Sequence, residues 1–313
     1  MRFLENVSLQ DFSNYKIGGP ARYFFEAKTQ EELLGAVEEA DKKELPIFIL
    51  GAGTNILFSD DGFNRIVIKP NIKHLRKDGN KITAGAGVLM TELLDFAAEN
   101  NLSGLEWAGG LPGTLGGAIR GNAGCFGKEI KDCVEEVKSL DKNTSEILSR
   151  RKDECKFGYR TSVFKSGEEA FLPPETYGVA GFTRGKREVI LEAVLILEPG
   201  EKEKILSSAR EKIEYRVARQ PLEYPNIGSI FKNVPLVDFS ADLQKELASH
   251  IKTDPFPVVP AAVLISLAEL KGRRVGDAQV SEKHTNFIVN LADAKANDVL
   301  ALIDIVKKEV SKK

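Results

Sequence analysis

The sequence predicts an α+β fold divided into several lobes, and three observations support that prediction. The chain has 313 residues, too many for one ordinary hydrophobic core. Strand-like and helix-like patterns alternate in its first 70 residues, whereas helical spacing of apolar residues dominates beyond Pro199. A glycine-dense stretch, Gly104–Gly127, lies between these parts. We therefore expect lobes at residues 1–70, 71–199 and 200–313.

The first lobe is predicted to be a β-α-β unit. Thr29-Gln-Glu-Glu32 has the pattern of a capping box, and apolar residues follow it at helical spacing. The apolar run Ile47–Leu50 indicates a buried strand that Gly51 ends. A further strand is expected at Ile66–Ile68, before Pro70.

The second lobe is predicted to contain mostly strands. We expect a strand at Lys81–Ala84, a helix at Thr91–Asn100, and strands around Val134–Leu140 and Val189–Leu197. Pro199-Gly200 follows and breaks regular structure, which favours a lobe boundary there.

The third lobe is predicted to be richer in helix. Glu201–Val217 reads as a charged amphipathic helix, and Val258–Leu270 as a shorter, mostly apolar one that contains Pro260. Asn286–Asn290 is expected to be a strand. The segment Asn297–Val310 predicts an amphipathic helix with one apolar face.

Composition excludes several classes of protein. The chain has 44 Lys and Arg against 46 Asp and Glu, so no global basic field exists for nucleic acid or an anionic membrane. We expect no nucleic-acid partner and no membrane insertion, because no apolar run approaches the ~18 residues that span a bilayer. The three cysteines fit no metal-ligand spacing, the three histidines lie far apart, and reduced thiols point to the cytoplasm.

Two glycine-rich segments are candidates for phosphate binding. The first is Gly51-Ala-Gly-Thr-Asn-Ile56, and the second runs from Gly109 to Gly124. Glycine lets backbone amides approach and converge on a phosphate, and Thr54 and Thr114 add hydroxyl donors. The first segment fails the G-x-G-x-x-G pattern because Ile56 replaces its third glycine, and no P-loop exists. A Rossmann domain is therefore disfavoured, although a tight turn also explains the first segment.

The ordered motifs of the chain resemble those of the UDP-N-acetylenolpyruvoylglucosamine reductases of peptidoglycan synthesis. The likeness begins near Asn14 and covers almost the whole chain. The segments that carry it are Tyr15–Gly19, Leu50–Leu57, Gly109–Gly127, Phe157–Phe164, Gly228-Ser-Ile-Phe-Lys-Asn233 and Lys283–Asn290.

The resemblance implies an FAD-binding fold of the vanillyl-alcohol-oxidase (PCMH) type in two subdomains, followed by a C-terminal α+β substrate-binding domain. It also implies that FAD is the cofactor and NADPH the reductant. The residues expected to hold FAD are Gly51, Ala52, Gly53, Thr54, Asn55, Ile56, Gly109, Pro112, Gly113, Thr114, Gly116, Gly117, Asn122 and Gly124.

The resemblance further implies the chemistry. Hydride passes from flavin N5 to C3 of an enolpyruvyl group, Ser229 protonates C2, and Arg160 binds the carboxylate. Tyr159, Arg219, Lys232 and Asn233 are expected to bind the UDP-sugar substrate. Without the family, Ser229 is better explained as a turn residue and Arg160 as a surface arginine. For Arg219, a cation at a helix C-terminus is an equally good explanation. His284 and Asn286 are expected to be structural or peripheral, and the protein is expected to be a monomer.

Two departures from the family leave alternatives open. The family continues into a short segment with an E-V pair whose glutamate assists proton transfer, whereas this chain stops at Lys313, and Glu309 is not the equivalent. Truncation, another carboxylate or impaired turnover would each explain this, and we expect intact FAD binding with impaired turnover. Lys165–Glu188 is longer than usual and is either a surface loop or a lid carrying Tyr177 or Arg184. The alternative functions are an FAD- or UDP-sugar-binding protein and an FAD oxidoreductase of another hydroxy acid.

Overall fold

The computed structural model describes residues 2–165, 188–253 and 256–313, and they form three lobes. The first lobe contains a four-stranded sheet in the order β1-β2-β4-β3. Its elements are β1 (Leu4–Ser8), β2 (Pro20–Ala27), α1 (Gln30–Lys42), β3 (Ile47–Ile49) and β4 (Phe63–Pro70). Strands β2 and β3 both pair with β4 in parallel, so the predicted β-α-β unit is confirmed.

Helix α1 forms because its N-terminus is capped and one of its faces is apolar. Thr29 Oγ1 accepts a hydrogen bond from the Glu32 amide, and Glu32 Oε2 accepts one from the Lys28 amide. Leu33 and Val37 lie on the buried face of the helix and pack against the sheet. The helix therefore begins where the predicted capping box places it.

The second lobe is built on a five-stranded antiparallel sheet in the order β11-β10-β12-β6-β5. Helices α2 and α3 pack against it and share its core with Trp107. The elements are β5 (Leu75–Asp78), β6 (Lys81–Gly85), α2 (Met90–Glu99), β7 (Leu102–Ser103), α3 (Leu115–Gly121), β8 (Gly124–Cys125), β9 (Lys128–Glu129), β10 (Val134–Asp141), β11 (Ile147–Arg151), β12 (Glu188–Ile196) and β13 (Glu198–Pro199).

Helix α4 (Lys202–Arg219) packs against the second lobe, although the sequence assigned it to the third. Ile205 and Ala209 are buried in the same core as α2. A Cβ on Gly109 would lie 2.4 Å from the Ala209 carbonyl oxygen, so the glycine allows a close approach of the helix. This packing favours a lobe boundary after α4, near Gln220, rather than at Pro199-Gly200.

The third lobe combines short strands with helices. Its elements are β14 (Val234–Pro235), α5 (Ala241–Glu246), β15 (Val258–Val259), α6 (Ala261–Leu267), β16 (Arg274–Val275), β17 (Ala278–Val280), β18 (Ile288–Asn290) and α7 (Ala296–Val310). The predicted helix Val258–Leu270 is wrong at its start, because Val258–Val259 pairs with β14 and α6 begins only after Pro260. Helix α7 buries Val299, Leu302 and Val306, as its apolar face predicted.

An N-terminal segment joins the first lobe to the third. Tyr15 and Ile17 are buried in the core that α7 and β18 form. Tyr15 Oη donates to the Ile288 carbonyl at 2.8 Å, and Asn290 Nδ2 donates to the Tyr15 carbonyl at 3.1 Å. The third lobe therefore depends on residues from the first.

In the part of the chain that the structure describes, no helix is both long and apolar enough to cross a membrane. Over those same residues, no group of three or more His, Cys, Asp or Glu side chains has the arrangement of a metal site.

Candidate functional site

A cavity of about 1510 Å³ lies where the three lobes meet. Its walls contain the loop that follows β3, the loop and helix around α3, the turn near Arg160, and the segment around Ser229. The resemblance implied that these four segments share one site, and the fold places all four in the wall of one cavity.

The first glycine loop follows β3 and depends on one glycine. Gly53 has a φ of +67°, and a Cβ at this position would lie 1.8 Å from the Phe12 carbonyl oxygen. No other residue type fits there without movement of the backbone. The Gly53 carbonyl also accepts a hydrogen bond from the Asn14 amide at 3.0 Å.

The two glycine segments lie next to each other in the wall of the cavity. A Cβ on Gly51 would lie 3.0 Å from Thr114 Oγ1, and one on Gly113 would lie 3.4 Å from Thr54 Oγ1. Among the described residues, the amides of 51–56 donate to no protein acceptor, so they are available to a ligand. A diphosphate fits this pair of loops, because its oxygens need several donors close to the backbone.

Not all of the expected amides are available. Leu115 and Gly116 donate to the carbonyls of Val88 and Ala86, and the Gly117 amide donates to Thr114 Oγ1. The first two bonds fasten the start of α3 to the segment between β6 and α2, and the third caps the helix. Gly116 and Gly117 therefore line the cavity as small residues, and their amides are already used.

Two predicted residues do not line the cavity. Gly109 lies against α4, and its carbonyl accepts a hydrogen bond from Arg216 Nε at 2.8 Å. Arg219 stacks its guanidinium 4.1 Å from the ring centre of Tyr215 and is absent from the cavity wall. The expectation that Gly109 contacts the cofactor and Arg219 the substrate is not supported by these positions.

Arg216 is the arginine of α4 that reaches the cavity. Its side chain is buried, with the residue 7% exposed, and its Nη2 lies 2.8 Å from Cys125 Sγ. Cys125 Sγ also lies 3.1 Å from the Trp107 carbonyl oxygen, to which the thiol donates. Burial raises the pKa of the Cys125 thiol, and the nearby cations Arg216 and Arg160 oppose that rise. The thiol therefore stays protonated beside a buried positive charge.

Arg160 lies in a turn that is tied to α3. Its φ is 58°, in the left-handed region. Asn122 Nδ2 donates to the Gly158 carbonyl at 3.0 Å, and Ser162 Oγ donates to the Arg120 carbonyl at 2.8 Å. Asn122 Oδ1 accepts from the Lys131 amide, so the carboxamide of this predicted cofactor residue is already engaged.

Tyr159 lies beside Arg160 and contacts the third lobe. Its ring meets that of Phe256 edge to face, with the ring centres 5.2 Å apart. The cavity wall at this point is therefore formed jointly by the second and third lobes.

Ser229 is held by a turn and by two buried asparagines. Gly228 has a φ of +81°, and its amide donates to Asn226 Oδ1 at 3.0 Å. Asn286 clamps the following residues, because its Oδ1 accepts from the Phe231 amide and its Nδ2 donates to the Phe231 carbonyl. The backbone of Ser229 forms an isolated antiparallel β-bridge with that of Phe287.

Lys232 and Asn233 also line the cavity, but Asn233 has a structural bond. Asn233 Oδ1 accepts a hydrogen bond from the Ala261 amide at 3.2 Å, which caps α6. Its amide nitrogen remains the group that can donate to a substrate.

Other expected residues lie elsewhere. His284 Nδ1 accepts from the Asn286 amide, and burial lowers the pKa of His284, as suits a structural residue. Glu309 pairs with Lys312 on the exposed side of α7, away from the cavity wall. Tyr177 and Arg184, the proposed lid residues, lie outside the described residues.

Comparisons with known proteins agree with this geometry. The model of an FAD binding domain matches residues 21–149. The lobes, the non-Rossmann glycine loops and this match together define an FAD-dependent oxidoreductase. The model of the UDP-N-acetylenolpyruvoylglucosamine reductase C-terminal domain matches residues 220–313.

Comparison with individual relatives shows which family the chain belongs to. The chain is 35% identical over 310 residues to the UDP-N-acetylenolpyruvoylglucosamine reductase of Clostridium tetani, covering 98% of this chain and 87% of that one. It is 37% identical to the reductase of Carboxydothermus hydrogenoformans, with 99% and 89% covered. The crystal structure of the Thermus caldophilus reductase superposes with a TM-score of 0.73 at 33% identity, covering 99% of this chain and 96% of that one. The chain belongs to the UDP-N-acetylenolpyruvoylglucosamine reductase family, and the predicted fold class and the FAD cofactor are confirmed.

Sequence reasoning missed the pairing of Arg216 with Cys125. The burial of Arg216 results from the packing of α4 against the second lobe, and no local pattern in the sequence indicates it. Cys125 stands directly after the second glycine segment, and only that position hinted at a place in the cavity wall.

Proposed function

We propose that the protein reduces UDP-N-acetylglucosamine enolpyruvate to UDP-N-acetylmuramate with NADPH in the cytoplasm. The observation that carries this proposal is that Arg160 and Ser229 line the same cavity as the two glycine loops. FAD, when bound, supplies the hydride that adds to C3 of the enolpyruvyl group. The residues of the chain must then bind the carboxylate, protonate C2 and hold the UDP group.

Arg160 is proposed to bind the substrate carboxylate. Negative charge grows on that carboxylate and on C2 once C3 has received hydride, and a guanidinium stabilises it through two parallel hydrogen bonds. The bonds from Asn122 and Ser162 hold the turn, so the charge is in place before the reaction. Pre-organised charge of this kind lowers the barrier without reorganisation.

Ser229 is proposed to give its Oγ proton to C2. A hydroxyl is a weak acid, but it can protonate a carbanion when neighbouring groups stabilise the alkoxide that remains. Lys232 lines the cavity three residues further on and supplies a nearby cation. The Gly228 turn and the Asn286 clamp fix the backbone of Ser229, which limits the directions open to its hydroxyl.

The UDP-sugar is proposed to lie against the third lobe. Lys232 and the free amide nitrogen of Asn233 can donate to the diphosphate, and Tyr159 adds a hydroxyl from the second lobe. Buried Arg216 contributes positive charge at the same cavity. The first glycine loop, with its free amides, remains for the FAD pyrophosphate.

The test compares two variants with the wild-type protein. The purified protein is expected to show flavin absorbance and to oxidise NADPH only when UDP-N-acetylglucosamine enolpyruvate is present. Ser229→Ala is expected to keep its flavin and lose roughly 100-fold or more in kcat, because the general acid is gone. Glu246→Ala, at an exposed position of helix α5 outside the cavity wall, is the control and should match the wild type.

Other outcomes select the alternatives. Flavin colour without substrate-dependent oxidation would indicate a binding protein. Oxidation of another hydroxy acid would change the substrate class. A protein that cannot be reconstituted with FAD would contradict the proposal altogether.

A further inference from the structure

We propose that Asn14 is a positioning residue that fixes Ser229 relative to the first glycine loop. This inference rests on the proposed role of Ser229. Asn14 lies at the cavity wall, in the segment that joins the first lobe to the third. Nothing in the chemistry described above uses it.

Asn14 bonds to both lobes at once. Its backbone amide donates to the Gly53 carbonyl at 3.0 Å, in the loop whose amides face the cavity. Its side-chain Nδ2 donates to the Asn226 carbonyl at 2.6 Å, across 212 positions of sequence. Both bonds are made by one residue, so Asn14 links the first glycine loop directly to the segment that precedes Ser229.

The path continues from Asn226 to Ser229. Asn226 is buried, its Oδ1 accepts the Gly228 amide at 3.0 Å, and its Nδ2 donates to the carbonyls of Pro221 and Tyr224. Gly228 has a φ of +81° and precedes Ser229 directly. A shift of the Asn226 backbone therefore moves the turn that carries the proton donor.

The geometry separates positioning from stability. Tyr15, the next residue, also donates to a third-lobe carbonyl, that of Ile288 at 2.8 Å, but it is fully buried in the core. Asn14 is exposed to the cavity, so its hydrogen bond contributes little to global stability. Loss of the Asn14 bond should therefore affect the reaction more than folding, and loss of the Tyr15 bond should do the reverse.

The experiment is a double-mutant cycle on the holoenzyme. Asn14→Ala, Ser229→Ala and the double variant are compared with the wild type. In anaerobic stopped flow, the flavin is first reduced by NADPH, and its reoxidation by saturating UDP-N-acetylglucosamine enolpyruvate is then followed. Asn14→Ala is expected to slow reoxidation about 10-fold, with flavin content, the reduction rate and Tm close to wild type. In the Ser229→Ala background, the same substitution is expected to change reoxidation by less than about twofold, because it acts through Ser229.

Two further variants sharpen the result. Asn14→Asp keeps the size of the side chain but replaces the donor with an acceptor that faces the Asn226 carbonyl, so it should slow reoxidation at least as much. Tyr15→Phe is the matched control, which removes a hydrogen bond from the same segment. It is expected to lower Tm while reoxidation stays within about twofold of the wild type.

Each outcome decides a different point. Equal slowing by Asn14→Ala in both backgrounds, or a parallel loss of flavin and of the reduction rate, would overturn the inference and leave Asn14 a general structural residue. Wild-type reoxidation by both Asn14 variants would overturn it as well. If Ser229→Ala reoxidised at the wild-type rate, the role proposed for Ser229 would fail instead, which is a distinguishable result.

Discussion

Arg160 combines an uncommon backbone conformation with a charge that faces the cavity. Its φ of 58° lies in a region that costs a non-glycine residue free energy, and the turn persists because two buried side chains bind it to α3. Lys165 Nζ also donates to the Arg160 carbonyl at 2.9 Å. The strained backbone therefore lies at Arg160, the residue that we propose binds the substrate carboxylate.

Arg160→Lys tests whether the planar guanidinium matters. Lysine keeps the charge but loses the two parallel donors, so kcat should fall roughly 100-fold with flavin content unchanged. Steady-state NADPH oxidation and the visible flavin spectrum measure the two quantities. Arg219→Lys is the matched control, because Arg219 stacks on Tyr215 outside the cavity and should retain kcat within about twofold. A larger loss in the control would contradict the placement of Arg219.

His284 gives the molecule a pH dependence at a single residue. Burial lowers its pKa, a backbone hydrogen bond opposes that change, and nearby Lys252 adds to it. A folded-state pKa below the unfolded value of about 6.5 means that the unfolded chain binds the proton more readily. The stabilisation is therefore present above about pH 6.5 and is lost as the pH falls through the folded pKa.

The expected result is a Tm that decreases below about pH 6.5 in the wild type. Protonation of Nδ1 also removes the acceptor of the Asn286 amide. Acidic pH should therefore also disturb Asn286, whose side chain holds Phe231 near Ser229. His284→Gln should show a weaker decrease over the same pH range in thermal unfolding followed by circular dichroism. Identical pH profiles would show that other groups dominate acid unfolding.

At the level of elements, the loop after β3 and helix α3 use glycine for different reasons. Gly53 needs a positive φ and leaves no room for a Cβ beside Phe12. Gly121, at the end of α3, also lines the cavity, but a Cβ there meets nothing within 4 Å. The first glycine is required by the backbone, whereas the second is not.

Paired alanine substitutions distinguish these cases. Gly53→Ala should destabilise the protein by more than about 1 kcal/mol and reduce its flavin content, because the loop must move away from Phe12. Gly121→Ala should fold normally and gain up to about 1 kcal/mol, since alanine favours the helix. Denaturant unfolding and the flavin-to-protein absorbance ratio measure both effects. Comparable flavin loss in the two variants would mean that the cavity, rather than the backbone, excludes both side chains.

Elements with strong local signals were predicted well from sequence. The capping box predicted the start of α1, and the apolar spacing predicted α7 to within one residue of its observed limits. Val258–Val259 was assigned to a helix because its pairing with Val234–Pro235 is long-range. Long-range packing also explains why the contact of Gly109 with Ala209, a hundred residues away, was not predicted. The same holds for the burial of Arg216. Motif residues were located by resemblance, but their individual partners depend on packing.

At the level of the whole molecule, the first and third lobes share a core. Tyr15 is completely buried among residues of the third lobe, and burial raises its pKa, so the phenol stays a donor to the Ile288 carbonyl. Asp60 Oδ2 accepts the Ala296 amide at 2.8 Å, so the first lobe is also hydrogen-bonded to the start of α7. The third lobe is therefore not expected to keep its full stability without the first.

Tyr15→Ala should therefore destabilise the third lobe, although Tyr15 lies near the N-terminus in the sequence of the first lobe. Truncating a buried aromatic side chain costs roughly 3–5 kcal/mol, and the cavity would open inside the core of β18 and α7. Hydrogen exchange followed by mass spectrometry should show the largest loss of protection in Ile288–Asn290 and Ala296–Val310. Phe24→Ala, in the separate core of the first lobe, is the control and should expose β2 and β4 instead. If both variants lost protection in the same first-lobe strands, the lobes would be independent units, and the coupling that we assign to Asn14 would lack its structural basis.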